Sequence, residues 1–185
     1  SIRAPRSKSD FPNTTLFRSV RTLLHKGIPL VGQGYEARKE IPSVEPDFVS
    51  GMEQAVEHLV NLGHTRIAFV TSQPVDEYNL RYVEYCRALA RRKIPLDPAL
   101  VVSGPPPHVA TPAAGYRVTV ELLERNADVT SIIAYSDLVA FGAFRALKEA
   151  GLRIPGDISL IGWDNIMIAQ YMDPPLTTVH LSTDS

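Results

Sequence analysis

The chain has little of what would mark several common functions. Of 185 residues one is cysteine, Cys86, so no internal disulfide can form, and the simplest reading of Cys86 is a small buried apolar side chain. The five histidines, His25, His58, His64, His108 and His180, show no metal-ligand spacing, and no metal or cofactor is expected. The formal net charge of −1 lacks the basic excess needed to neutralise many phosphates, so nucleic-acid contact is not legible here. No stretch approaches the roughly 20 apolar residues that span a bilayer. Arg3, Arg6 and Lys8 are not followed by the apolar run of a signal peptide, and the chain as given reads as cytoplasmic. A nucleophile elbow, a Walker A loop and an isolated carboxylate pair are missing as well, and the expectation is a protein that is not an enzyme.

What is present is a regular alternation of strand and helix signals. Residues 1–19 show neither period and read as a non-native or disordered leader, foreign to the rest of the chain. Short extended runs are expected at Ile28–Val31 and Ser43–Glu45. Asp47 can cap a helix with Val49, Met52, Val56, Leu59 and Val60 on one face and Gly63 just past its end. Ile67–Val70 is too evenly apolar to be half exposed, and a helix is expected over Leu80–Lys93. The pattern repeats with a strand at Leu100–Val102, a helix opened by Thr111-Pro112, a strand at Ser131–Tyr135, a helix over Asp137–Ala150 stopped by Gly151, and a strand at Ile158–Gly162. A short helical stretch ends at Pro174-Pro175, and Leu176–His180 is extended. This order implies an α/β fold with a doubly wound parallel sheet.

Such sheets bind ligands outside the carboxyl ends of their strands, and three of these edges are polar: Thr71-Ser72-Gln73, Ser136-Asp137 and Asp164-Asn165. Arg81, near the start of the next helix, can reach the same crevice with its planar fork of donors. With the rings of Trp163 and Tyr35 this set suits a small polyhydroxylated ligand, a sugar or nucleoside. Structural roles compete for the same residues. Asp137 or Ser136 can cap the adjoining helix, Trp163 can be core, and Arg81 and Asp164 can pair with each other. The segment Gly32–Ala37 formally matches GxGxxA, but Pro42 arrives too soon for the helix a phosphate site needs, so its glycines are read as a turn.

Several segments, taken in order, resemble the LacI/GalR family of transcription regulators. Gly27-Ile28-Pro29-Leu30-Val31 is similar to that family's "GIPVV" strand, and residues 56–68, VEHLVNLGHTRIA, to its "HLi.lGHrrIa" block. Arg81, Tyr85 and Ala88-Leu89 resemble "R..Gy..AL". Ser136-Asp137 with Ala140 and Gly142, residues 151–164 (GLRIPGDISLIGWD) and Pro175–Val179 resemble "nD..A.Ga", "G..vP.disviGfDd" and "P.LTTv". The resemblance implies a two-lobed sensor of the periplasmic-binding-protein-like type I fold, of which this chain is mostly the C-terminal subdomain. Residues 20–46 would end the N-terminal subdomain, 47–180 would form the C-terminal one, and 181–185 would start the crossover back. It implies a small-molecule effector, sugar or purine-like, a homodimer in the full-length form, and operator DNA bound only through a missing helix-turn-helix domain. By the same resemblance Arg81 and Asp164 contact effector, Gln73 and Tyr78 belong to a loop (72–79) that lines the pocket, and Tyr35 faces the cleft. Three departures stand out: Glu84 where glycine is usual, Ser136 where asparagine is common, and Trp163 in place of Phe or Tyr. A periplasmic sugar-binding protein of an ABC transporter shares the fold and is the alternative.

Overall fold

A computed structural model describes residues 15–33, 41–125 and 128–181. The chain divides into two compact units, Ser1–Pro46 and Asp47–Ser185. In the first, α1 (Thr15–His25) precedes a two-stranded parallel ladder of β1 (Gly32–Gln33) and β2 (Ser43–Val44). Two expectations are corrected by this unit. Residues 15–19 are helical, because Leu16, Val20, Leu23 and Leu24 already keep a helical period across the assumed boundary at residue 20. The strand expected at Ile28–Val31 forms instead at Gly32–Gln33. Pro29 has no N–H for a ladder, and the pairing begins where Gly32 N–H donates to the Pro42 carbonyl. Gly32 is therefore a strand residue and not part of a turn.

In the second unit α2 (Phe48–Asn61) starts where the Asp47 carboxylate accepts the Ser50 N–H at 2.9 Å, and it ends before Gly63, whose φ of +90° needs no Cβ. It leads into β3 (Ile67–Thr71), α3 (Leu80–Arg91), β4 (Val101–Ser103), α4 (Pro112–Glu124), β5 (Ser131–Ala134), α5 (Asp137–Glu149), β6 (Ser159–Asp164), a short 3₁₀ turn (Met167–Tyr171) and β7 (Thr177–His180). Side-chain caps start three of these helices: Asn79 accepts from Tyr82 N–H, Thr111 from Ala114 N–H and Ser136 from Val139 N–H. All sheet pairings are parallel, in the order β4-β3-β5-β6-β7.

Alternation along the strands divides the core. Ala68, Val70, Ile132 and Ala134 face α4 and α5, whereas Ile67, Phe69, Ile133, Ile161 and Trp163 face α2 and α3. On the second face Phe69 stacks on Tyr85 with ring centroids 5.2 Å apart, and the Tyr85 hydroxyl donates to the Ile67 carbonyl at 2.8 Å. On the first face α4 and α5 touch backbone to backbone through glycine. A Cβ on Gly115 would strike the Val139 carbonyl, and one on Gly142 would strike the Pro112 carbonyl and the Tyr116 amide. At the amino ends of the strands His64 bridges two of them, with Nδ1 3.0 Å from Thr130 Oγ1 and Nε2 2.9 Å from Ser159 Oγ.

This packing has two measurable consequences. Gly142→Ala sets a methyl group against backbone that cannot rotate away, and should cost about 3 kcal/mol in urea denaturation. Burial holds the His64 imidazole below its ordinary 6.5, with His58 adding to the effect. The unfolded chain then takes up this proton at higher pH than the folded one. The His64 contribution is thus complete above about pH 6.5 and is lost as pH falls through the folded value. Stability measured from about pH 8 to about pH 5 should decline less steeply in His64→Gln than in the parent.

Candidate functional site

Progress across the sheet reverses after β3: β4 is added on one side of it, and β5, β6 and β7 on the other. The carboxyl ends of β3 and β5 therefore flank the crevice where an open α/β sheet accepts ligand. α3 begins close to this edge because Asn79 caps it, with the Asn79 amide also donating to the Pro74 carbonyl at 2.8 Å. Arg81, in the first turn of α3, extends over the strand ends.

Its two terminal nitrogens are held, while Nε is buried without a hydrogen-bond partner among the described residues. Nη1 donates to the Tyr135 carbonyl at the end of β5 at 2.5 Å, and Nη2 to Asp164 Oδ1 at the end of β6 at 2.9 Å. The guanidinium carbon lies 4.5 Å from the ring centroid of Tyr135, 5.2 Å from Trp163 and 5.4 Å from Phe48. The two side chains of the ion pair are 12% and 32% exposed, so Arg81 is largely walled in while Asp164 opens to solvent. Burial pushes the Asp164 carboxyl above its ordinary range. The Arg81 charge pulls against this shift, and the Asp137 charge adds to it.

The backbone that carries Asp164 is strained: φ is +106° at Asp164 and +53° at Asn165, a conformation costing a non-glycine residue on the order of 1–3 kcal/mol. Strain kept at a strand end facing a crevice is characteristic of a site whose geometry is over-determined by its surroundings.

The other expected residues divide. Ser136 and Asp137 reach the same edge but turn inward. Ser136 is the cap of α5, and Asp137 is 0% exposed with both oxygens used within the fold, Oδ2 by Ile166 N–H at 2.8 Å and Oδ1 by the Thr178 hydroxyl at 2.6 Å. Asp137 thus has no oxygen to offer the crevice, and the capping role falls to its neighbour. Trp163 takes the core position weighed for it as an alternative: it is fully buried beneath Arg81, and a Cβ on Gly51 of α2 would lie 3.0 Å from its ring. Gln73 donates its amide N–H to the His108 carbonyl, while His108 Nδ1 lies 2.9 Å from the Ser72 carbonyl, which staples the loop after β4 to the end of β3. Tyr78 is exposed, its N–H bonded to Asp76 Oδ1 at 3.0 Å. Tyr35 lies outside the described residues. Glu84 is buried, with Arg87 2.5 Å from its Oε1.

Two participants went unnoticed in the sequence. Phe48 is the residue after a helix cap, and the Tyr135 main-chain carbonyl carries no side-chain signal at all. No group of His, Cys, Asp and Glu among the described residues could hold a metal ion, and no described helix is long and apolar enough to cross a membrane.

The sequence family described as a periplasmic binding protein-like domain matches residues 56–185. The transcriptional repressor CytR of Escherichia coli (strain K12) is 36% identical over 143 residues, covering 76% of this chain and 40% of the repressor. Among solved structures, a LacI family transcriptional regulator from Enterococcus faecium with bound ribose is 33% identical with a TM-score of 0.73, covering 85% of this chain and 58% of that one. The lac repressor dimer bound to operator and an anti-inducer is 27% identical at the same TM-score, covering 86% and 55%. The chain spans about two fifths of the length of the curated relatives it matches.

Arg81→Ala leaves the Asp164 carboxylate half-buried without its partner. Discounted for the solvent that reaches Asp164, the loss should be about 2 kcal/mol in urea denaturation, and Asp164→Asn, which keeps a neutral acceptor for Arg81, should lose less.

Proposed function

The chain belongs to the LacI/GalR family of transcription regulators, within whose effector-binding domain it lies, and from that premise we propose that its crevice binds a small neutral polyhydroxylated effector, a sugar or a nucleoside. One observation carries the reading: a guanidinium lying over aromatic rings and paired with a carboxylate at 2.9 Å, at the carboxyl edge of the sheet. A neutral ligand fits because the charge of Arg81 is already balanced by Asp164, with the buried Asp137 close behind. An anion would meet two carboxylates for one available cation. A polyol can instead receive a hydrogen bond from the guanidinium edge while donating one to Asp164. The bound ribose of the Enterococcus regulator and the sugar-binding description of the Escherichia coli family member support the same class of ligand.

In this reading the effector acts by binding one arrangement of the sensor more tightly than another, and so shifts the equilibrium of a regulator that contacts operator DNA elsewhere in the full-length protein. That regulator works in the cytoplasm as a homodimer and not as an enzyme. The dimeric form of the lac repressor supports the assembly. So does the apolar group that this chain exposes: Leu138 on α5, with Met167 and Tyr171 at 78% and 75% exposure on the 3₁₀ turn that Asp137 ties to the start of α5. The named relatives are regulators, which favours this reading over the transporter component.

The test is a thermal-shift series on the complete sensor domain with ribose, galactose and cytidine, set beside ribose 5-phosphate. A neutral compound should raise the melting temperature, and the rise should vanish in Arg81→Ala. Stabilisation by the phosphorylated sugar alone would overturn the neutral-ligand reading.

A further inference from the structure

Two carboxylates meet the turn that ends β6, and only Asp164 faces the crevice. Asp137 does not serve the start of its own helix, since Ser136 already caps α5 through the Val139 N–H. Its full burial raises the cost of its charge, and its partners are the few groups that offset that cost. Those partners belong to the turn. Oδ2 accepts the Ile166 N–H at 2.8 Å. Oδ1 accepts the Thr178 hydroxyl at 2.6 Å, and the oxygen of that hydroxyl in turn accepts the Asn165 N–H at 3.2 Å. One carboxylate thus gathers the amides of 165 and 166, one of them through β7. The arrangement needs a bare Cα at Gly162, where a Cβ would collide with Asp137 Oδ1.

Between these anchors lie the two residues of positive φ, Asp164 and Asn165, and it is this backbone that aims Asp164 Oδ1 at Arg81 Nη2. We propose that Asp137 is a positioning residue of the effector site, fixing the turn after β6, directly and through the Thr178 hydroxyl, so that Asp164 meets Arg81 before any ligand arrives. Naming the site an effector site rests on the function proposed above; the geometric claim is independent of it.

Trp163, the one tryptophan of the chain, precedes this turn and packs against the Arg81 guanidinium, so its emission reports the pair with no ligand present. The experiment compares the emission of the ligand-free parent chain with those of Asp164→Asn, Asp137→Asn, Thr178→Val and the Asp137→Asn/Asp164→Asn double variant. Asp164→Asn shifts the spectrum by altering the hold on Arg81. Asp137→Asn and Thr178→Val, neither of which changes a group bonded to Arg81, should shift it in the same direction, and the double variant should shift it no further than Asp164→Asn alone. Parent-like emission from both Asp137→Asn and Thr178→Val, or a double variant in which the two shifts add, overturns the proposal. If Asp137→Asn does not fold, Thr178→Val decides, because it keeps the buried carboxylate and removes the hydroxyl through which that carboxylate reaches Asn165. Ribose titration of the same variants separates the two readings: a parent that ignores ribose counts against ribose as the effector, while the emission result stands by itself.

Discussion

A parallel sheet covered by helices on both faces has only its strand ends left for polar chemistry, and every functional feature of this chain depends on that constraint. β3, β5 and β6 are apolar throughout their middles, and the first groups able to hydrogen-bond a ligand come where the strands stop. The reversal of strand order beside β3 marks the edge where an open α/β sheet takes its ligand, and the first turn of α3 projects Arg81 over it. Tyr135, Asp164 and Phe48 come from three different elements and meet at one guanidinium.

That meeting depends on how closely the layers approach. Glycine at 115 and 142 lets α4 and α5 touch backbone to backbone, which sets the height of α5 against the sheet. The height matters because the first residue of α5, Asp137, must reach β6 over Gly162 and β7 at Thr178. At the opposite edge His64 performs a neutral version of the same task, tying the amino ends of two strands through hydroxyls. The sheet is pinned at both ends, by a carboxyl group at the carboxyl ends of its strands and an imidazole at the amino ends.

Helices α2, α4 and α5 were legible in the sequence because each is signalled at an end: Asp47, Gly63, Thr111-Pro112 and Gly151 do locally what their residue types predict, whereas α3 was read without the Asn79 cap that starts it. The parallel order was legible from unbroken apolar runs such as Ile67–Val70. Helix α1 was missed altogether because the basic, period-poor segment before it drew attention away from its apolar spacing, and Ile28–Val31 was misplaced because β character in a run does not supply a partner strand. At the site, Arg81 and Asp164 could be named from strand ends and from resemblance, and their mutual pairing was foreseen as one alternative. The cap at Ser136 and the burial of Trp163 were likewise foreseen as alternatives, but the turn of Asp137 toward Ile166 and Thr178 was not legible. Adjacent residues at a strand end face opposite sides, and the choice depends on register with β7, more than 40 residues away in the case of Asp137 and Thr178.

The enclosure of Arg81 by a carbonyl, a carboxylate and three rings has a consequence for affinity. An arginine side chain free in solvent carries about 2 kcal/mol of rotamer entropy, which a ligand that immobilises it must overcome. Here that freedom is already lost when the chain folds. A molecule entering the crevice meets a donor fork fixed in place, and the difference corresponds to roughly 30-fold in dissociation constant relative to a mobile arginine. Weak, few-atom ligands, whose own contacts supply little free energy for ordering a receptor, gain most from a side chain that has stopped moving before they arrive.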